Sequence, residues 1–149
     1  MAQVLGCNIP EDLWYNVERH VWARPEADGT VTVGITDVAQ NLAGKIIVVS
    51  PKPAGRRVEK NKSAGTLESG KWVGSVPAPV SGEVVMVNAA VKSDPSVVNR
   101  DPYGEGWLLR LRPDDWERDR ADLVTGPQAV EAYRQRMERD GLKCGGGAG

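Results

Sequence analysis

The sequence contains no phenylalanine, one histidine and two cysteines among 149 residues. A single imidazole cannot build a multi-histidine metal site, and Cys7 and Cys144 lack the close spacing of a zinc-binding pair. Neither a metal site nor a set of catalytic side chains is therefore expected. Net charge is almost absent, with 19 Lys and Arg against 20 Asp and Glu. That balance excludes a protein that lives mainly on phosphate contacts, so neither nucleic acid nor an anionic membrane is an expected partner. No apolar run is longer than about four residues, against the roughly 20 a membrane helix needs. The N-terminus has no basic flank or apolar stretch of the signal-peptide kind, so a cytoplasmic location is expected, with Cys7 and Cys144 reduced at rest. What remains is 40% hydrophobic and 26% charged, the composition of one soluble globular domain.

Two apolar strands dominate the middle of the chain, Ile46-Ile47-Val48-Val49 and Val84-Val85-Met86-Val87. Each follows a small-Gly-charged triplet, Ala43-Gly44-Lys45 and Ser81-Gly82-Glu83, at an offset of 38 residues. The offset reads as an internal duplication in which two similar β units pack together. Between them, the segment Thr66 to Val76 predicts two short strands around a tight turn at Gly70-Lys71. Upstream, Leu13 to Val17 and Val21 to Ala23 are strand-like, and Asp28-Gly29 turns into the strand Thr30 to Ile35. Thr36 is the N-cap of a short helix through Ala43, with Gly44 at a left-handed C-cap position. Trp107 to Arg112 is a late strand stopped by Pro113. Thr125 and Gln128 form a capping-box pattern for a C-terminal helix over about residues 127–140, with Ala129, Val130, Tyr133 and Met137 as its apolar stripe. The domain is thus expected over residues 1–141, followed by a flexible glycine-rich tail, 142–149.

Lys71 stands apart from the other lysines. It follows a glycine at a predicted hairpin tip and has uncharged neighbours. Glycine at the first central position of a two-residue loop favours a type II′ turn, which would project Lys71 outward from a rigid base. Such an isolated amine suits a modifying enzyme, the plain alternative being an ordinary surface lysine.

From His20 to Trp107 the chain resembles the H protein of the glycine cleavage system, a lipoyl carrier. The matching segments are His20-Val21-Trp22, Gly34-Ile35-Thr36-Asp37-Val38-Ala39-Gln40, Glu68-Ser69-Gly70-Lys71, Pro79-Val80-Ser81-Gly82-Glu83-Val84 and Pro102-Tyr103-Gly104-Glu105-Gly106-Trp107. The resemblance implies a mainly β fold, the lipoyl/biotinyl barrel-sandwich of two quasi-symmetric halves, with a short internal helix and a C-terminal helix. It also implies lipoate attached covalently to Lys71, with Glu68, Gly70 and Trp72 as the context of the lipoylation turn; Glu68 is either a recognition feature for the attaching ligase or a solvated carboxylate, and Gly70 and Trp72 stand where that family has Val and Ala. Such a carrier is not an enzyme but a substrate of partner enzymes.

The chain departs from that family where the aminomethyl-loaded arm would lie. A motif Glu is Val21 here, and a His before the helix-ending glycine is Leu42. A second group, the lipoate-binding proteins of cytoplasmic sulfur oxidation, is similar to this chain in Gly6 to Leu13, Glu68 to Gly74 and Asp122 to Pro127, and in a cysteine near the C-terminus, here Cys144. That resemblance implies carriage of sulfur intermediates and reducing equivalents from sulfane sulfur towards sulfite. The partners it implies are a heterodisulfide-reductase-like complex, a lipoate-protein ligase and a dihydrolipoamide dehydrogenase. The alternatives are aminomethyl carriage in glycine cleavage and, in another class, an unmodified scaffold or regulatory domain. Cys7 and Cys144 are either idle thiols or redox thiols that pair reversibly with a partner or with each other. His20, in a strand-like run, is expected to be structural. The loop 51–63, with Lys52, Arg56, Arg57, Lys60 and Lys62 against Glu59, is either a solvated loop or a steering patch for an acidic partner.

Overall fold

The computed structural model describes residues 2–145. The chain begins with a two-stranded hairpin, Gln3–Val4 (β1) and Cys7–Asn8 (β2). Trp14–Asn16 (β3), Val21–Pro25 (β4) and Val31–Ile35 (β5) follow, then the helix Asp37–Ala43 (α1). Next come Ile46–Pro51 (β6), Arg57–Val58 (β7), Ser63–Ser69 (β8), Val73–Pro77 (β9) and Gly82–Val87 (β10). Two short helices, Ala89–Ser93 (α2) and Val97–Arg100 (α3), lead to Leu109–Pro113 (β11). Trp116–Asp119 (α4), a 3-10 turn at Arg120–Asp122, Val124–Thr125 (β12) and Gly126–Asp140 (α5) complete it.

Seven strands form one antiparallel sheet in the order β12-β3-β4-β5-β11-β10-β7, and β6-β8-β9 form another. Val33, Val84 and Leu111 from the first sheet share a buried cluster with Ile46, Val49, Leu67 and Val76 from the second. Burial of both apolar faces against each other is what makes a sandwich the stable arrangement. A second cluster, with Ile9, Tyr15, Trp22, Val38, Tyr133 and Met137, forms under α5. The duplicated strands become β6 and β10, and their ladders slip at matching places. The register breaks between Ile46 and Val48 in β6 and between Val84 and Met86 in β10, the same 38-residue offset as the glycines at 44 and 82. The mainly β barrel-sandwich with an internal helix and a C-terminal helix is therefore the observed architecture.

Local sequence signals explain most boundaries. Gly29 takes φ +87 in the β4–β5 turn, and the Thr36 hydroxyl accepts from Ala39 N at 3.2 Å. Gly141 ends α5 in the left-handed conformation. Thr125 departs from expectation: it precedes α5 but makes no side-chain cap, because its hydroxyl donates to Leu13 O at 2.6 Å. Pairing of β12 with β3 competes for it and wins. The tail also departs from expectation at its start. Leu142 N donates to Met137 O at 2.9 Å and Cys144 N to Leu5 O at 2.9 Å, so the chain folds back over the N-terminal hairpin instead of hanging free from residue 142. Residues 146–149 of the expected tail lie outside the described residues.

Candidate functional site

Lys71 sits in the loop between β8 and β9, where Ser69 N donates to Trp72 O at 2.7 Å and closes a two-residue turn over Gly70 and Lys71. The Ser69 hydroxyl accepts from Lys71 N at 3.3 Å. Gly70 lacks the positive φ of a type II′ turn, so the hairpin is as short as expected but of another type. The Lys71 side chain is also directed differently. It is exposed, yet its stem lies back over Gly44 at the end of α1, where an added Cβ would stand 3.1 Å from Lys71 Cε. Gly44 has φ +79 and ψ −164, a backbone conformation that favours glycine, although not the helical left-handed one. Its N–H donates to Gln40 O at 3.1 Å, and its carbonyl accepts from Asn99 Nδ2 at 2.8 Å. The seat under Lys71 is therefore fixed from both sides.

Beside this seat lies a cavity of about 180 Å³ lined by apolar side chains, among them Val21, Ile35, Leu42, Leu67 and Trp72. Val21 and Leu42, the two departures noted in the sequence, face the same space. Its polar lining groups are Arg19, His20 and Ser75, and no carboxylate lines it among the described residues. His20 does not stand in a strand. It takes φ +60 in the turn before β4, with its N–H donating to Asn16 O at 2.8 Å. Its ring stacks on Tyr133 at 5.7 Å between centroids, and Nδ1 lies 3.2 Å from the Tyr133 hydroxyl. Burial, reinforced by the nearby Arg136 cation, pushes the imidazole down to about 4, so it is neutral at pH 7. His20 is structural, as expected, and forms part of the cavity wall as well. The cavity itself was not visible in the sequence, because its walls come from β4, α1, β8 and β9, which only the strand pairing assembles.

Glu68 is exposed on the outer face of β8, directly between Val48 of β6 and Val73 of β9. Trp72 is 42% exposed and Val73 69%, so a carboxylate sits in an apolar surround next to Lys71. The basic loop is partly neutralised: Arg57 pairs with Asp114 and Lys60 with Asp122. The two cysteines are not the reduced thiols expected from the compartment. Cys7 and Cys144 form a disulfide with their Cα atoms 4.9 Å apart, inside the usual bridging range. The hairpin β1–β2 and the returning tail bring them together, and both are buried, at 0% and 7% exposure. Compartment chemistry says nothing about such a meeting, since that depends on the fold. No helix among the described residues is long and apolar enough to cross a membrane.

Comparison with known proteins agrees with this geometry. The family model described as glycine cleavage H-protein matches residues 13–136. The glycine cleavage system H protein 2 of Aquifex aeolicus is 51% identical over 140 residues, covering 94% of this chain and 87% of that protein. The glycine cleavage system H protein of Thermus thermophilus is 44% identical over 133 residues, covering 89% of this chain and 98% of that protein. The crystal structure of a glycine cleavage system H protein from Mycobacterium marinum superposes with a TM-score of 0.72 at 34% identity, over 90% of this chain and all of that one. The chain belongs to the glycine cleavage H-protein family, whose members carry lipoate on a lysine and serve as substrates of partner enzymes, not as catalysts.

Proposed function

We propose that Lys71 is the lipoyl attachment site and that the chain works in the cytoplasm as a mobile carrier. The observation that carries this reading is the seat of Lys71: an exposed amine on a two-residue turn, its stem over Gly44, with the chain neighbours Trp72 and Ala43 lining an apolar cavity. When attached, lipoate supplies a disulfide that interconverts with a dithiol. The residues around Lys71 do the rest. Glu68, flanked by Val48 and Val73, is the mark that a lipoate-protein ligase reads, with Gly70 and Trp72 shaping the turn. Val21, Leu42 and Leu67 offer an apolar wall.

The names of the relatives support carriage of an aminomethyl group in glycine cleavage, the first reading of the cargo. One specific observation favours a second. A protonated amine entering the cavity meets Val21, Leu42 and a neutral His20, with no carboxylate in the lining, and a buried charge without a partner is costly. A neutral sulfur cargo carries no such penalty. On this second reading the chain passes sulfur intermediates and reducing equivalents on their way from sulfane sulfur to sulfite. Its partners are then a heterodisulfide-reductase-like complex and a dihydrolipoamide dehydrogenase. Incubating the lipoylated protein with glycine and a glycine decarboxylase, and separately with a sulfane-sulfur donor, separates the two by intact mass. A gain matching an aminomethyl group selects glycine cleavage, and a gain matching added sulfur selects the second reading. Absence of lipoate on protein from its native host would reject both and favour an unmodified scaffold or regulatory domain.

A further inference from the structure

The disulfide joins the two ends of the chain and touches the helix on which the Lys71 seat depends. Cys7 lies on β2 and Cys144 just beyond the left-handed cap of α5 at Gly141. Apart from the bridge, the segment Leu142 to Cys144 makes three backbone-acceptor hydrogen bonds, Leu142 N to Met137 O, Cys144 N to Leu5 O, and Asn41 Nδ2 to Lys143 O, and Leu142 and Cys144 pack into the second cluster. The last comes from α1. At the start of the same helix, Cys144 Sγ lies 3.8 Å from Asp37 O, and Asn8 N donates to Asp37 Oδ2 at 2.8 Å. The other end of α1 gives Leu42 and Ala43 to the cavity and leads to Gly44 beneath Lys71. The S–S bond is thus the covalent tie between the N-terminal hairpin and a tail segment that also contacts α1.

We propose that Cys7–Cys144 is a second redox site of this chain, opened by dithiols that close to a cyclic disulfide, and that its opening frees the tail and loosens α1 under Lys71. The chemistry balances within the two reactants. A thiolate of the dithiol attacks Sγ of Cys144, the less buried residue of the two, as the local structure opens, and Cys7 leaves as a thiolate. The second thiol of the same molecule then attacks the mixed disulfide, closing a cyclic disulfide and expelling Cys144. Two S–H bonds of the dithiol are exchanged for two on the protein, and two electrons pass with them. The Asp37 carboxylate lies within 4.8 Å of both sulfurs, and this fixed negative charge disfavours the cysteine thiolates. That slows the first attack by any thiol, and a monothiol must then complete a second bimolecular step. A dithiol succeeds because its second attack is intramolecular. A reduced lipoyl arm on another copy belongs to this class of reductant, and in that respect the inference rests on the carrier reading. The site itself does not.

The test uses the full-length Lys71→Arg protein, which cannot be lipoylated, in its oxidised form. It is incubated without oxygen with free dihydrolipoamide or with glutathione at equal thiol concentration, then alkylated and read by mass, with hydrogen exchange followed in parallel. Dihydrolipoamide should open the bridge at least tenfold more extensively than glutathione. The amides of Gln40 and Gly44 should then exchange about tenfold faster, as expected for loss of local protection. The Cys144→Ser protein, checked for native circular dichroism, should show the same fast exchange with no reductant present. An unreacted bridge under dihydrolipoamide, equal opening by glutathione, or unchanged α1 exchange after opening would each overturn the proposal. Because the reductant is free and the lysine is absent, failure here leaves the Lys71 reading intact. Failure of lipoylation on Lys71 likewise leaves this site standing.

Discussion

Lys71 rests on Gly44, two residues that share neither a strand nor a helix. A Cβ at position 44 would stand 3.1 Å from Lys71 Cε, and the backbone there has φ +79. The hairpin tip and the end of α1 thus form one unit, and the site is only as well positioned as both.

Gly44→Ala should therefore cost twice. The backbone at φ +79 and ψ −164 alone penalises an L-residue by about 1–3 kcal/mol, which urea unfolding would register. The new methyl also displaces the lysine stem, so lipoylation by a ligase, followed by intact mass, should slow several-fold. A variant lipoylated at the wild-type rate would show that the seat does not orient the amine.

Gly34→Ala tests the packing of two residues from separate matching segments. Gly34 pairs across the sheet with Trp22, and an added Cβ would stand 2.5 Å from Trp22 Cζ2. Trp22 cannot move freely, because its indole N–H donates to Ile35 O at 3.0 Å and Pro102 O at 3.1 Å. Overpacking of this kind costs about 1–3 kcal/mol. The unfolding midpoint should fall accordingly, with a shift in tryptophan emission.

These cases show how far the residues could be read in order. Strands β3 to β6 and β8 to β11, the turn at Asp28-Gly29 and the cap at Thr36 were legible because each depends on neighbours along the chain, whereas the two-residue strands β1, β2, β7 and β12 were not. The duplication was legible too, and the matching slips that the structure adds in β6 and β10 keep its offset. The Thr125 cap was misread because a distant carbonyl, Leu13 O, claims the hydroxyl. The cavity, the Gly44 seat and the disulfide were beyond reach for the same reason. Each is a meeting of segments far apart in sequence, and the short helices α2 to α4 carry too few residues to show a period.

Stability should decline as the pH falls from about 6.5 to 4. The folded state keeps His20 neutral down to about 4, while the unfolded chain takes up a proton near its ordinary value of about 6.5. The contribution is thus complete above that value and lost as the pH drops through the window, amounting to about 3 kcal/mol. His20→Asn, which tolerates the left-handed backbone, should remove this part of the pH slope. An unchanged slope would assign it to other groups.

Removing the bridge should be costly even where folding survives. Closing so long a loop stabilises by about 5 kcal/mol in the chain-entropy picture, and measured losses run about 2–5 kcal/mol. Cys144→Ser should lower the denaturation midpoint to match, and Cys7→Ser should do so by a similar amount. Stability equal to the oxidised wild type in both variants would mean that the bridge contributes nothing.

The most direct measurement is peptide-resolved mass spectrometry of the protein isolated from its native host. The account predicts one lipoyl amide on the peptide containing Lys71, and none on Lys71→Arg protein prepared alongside. An unmodified Lys71, or lipoate on another lysine, would contradict it.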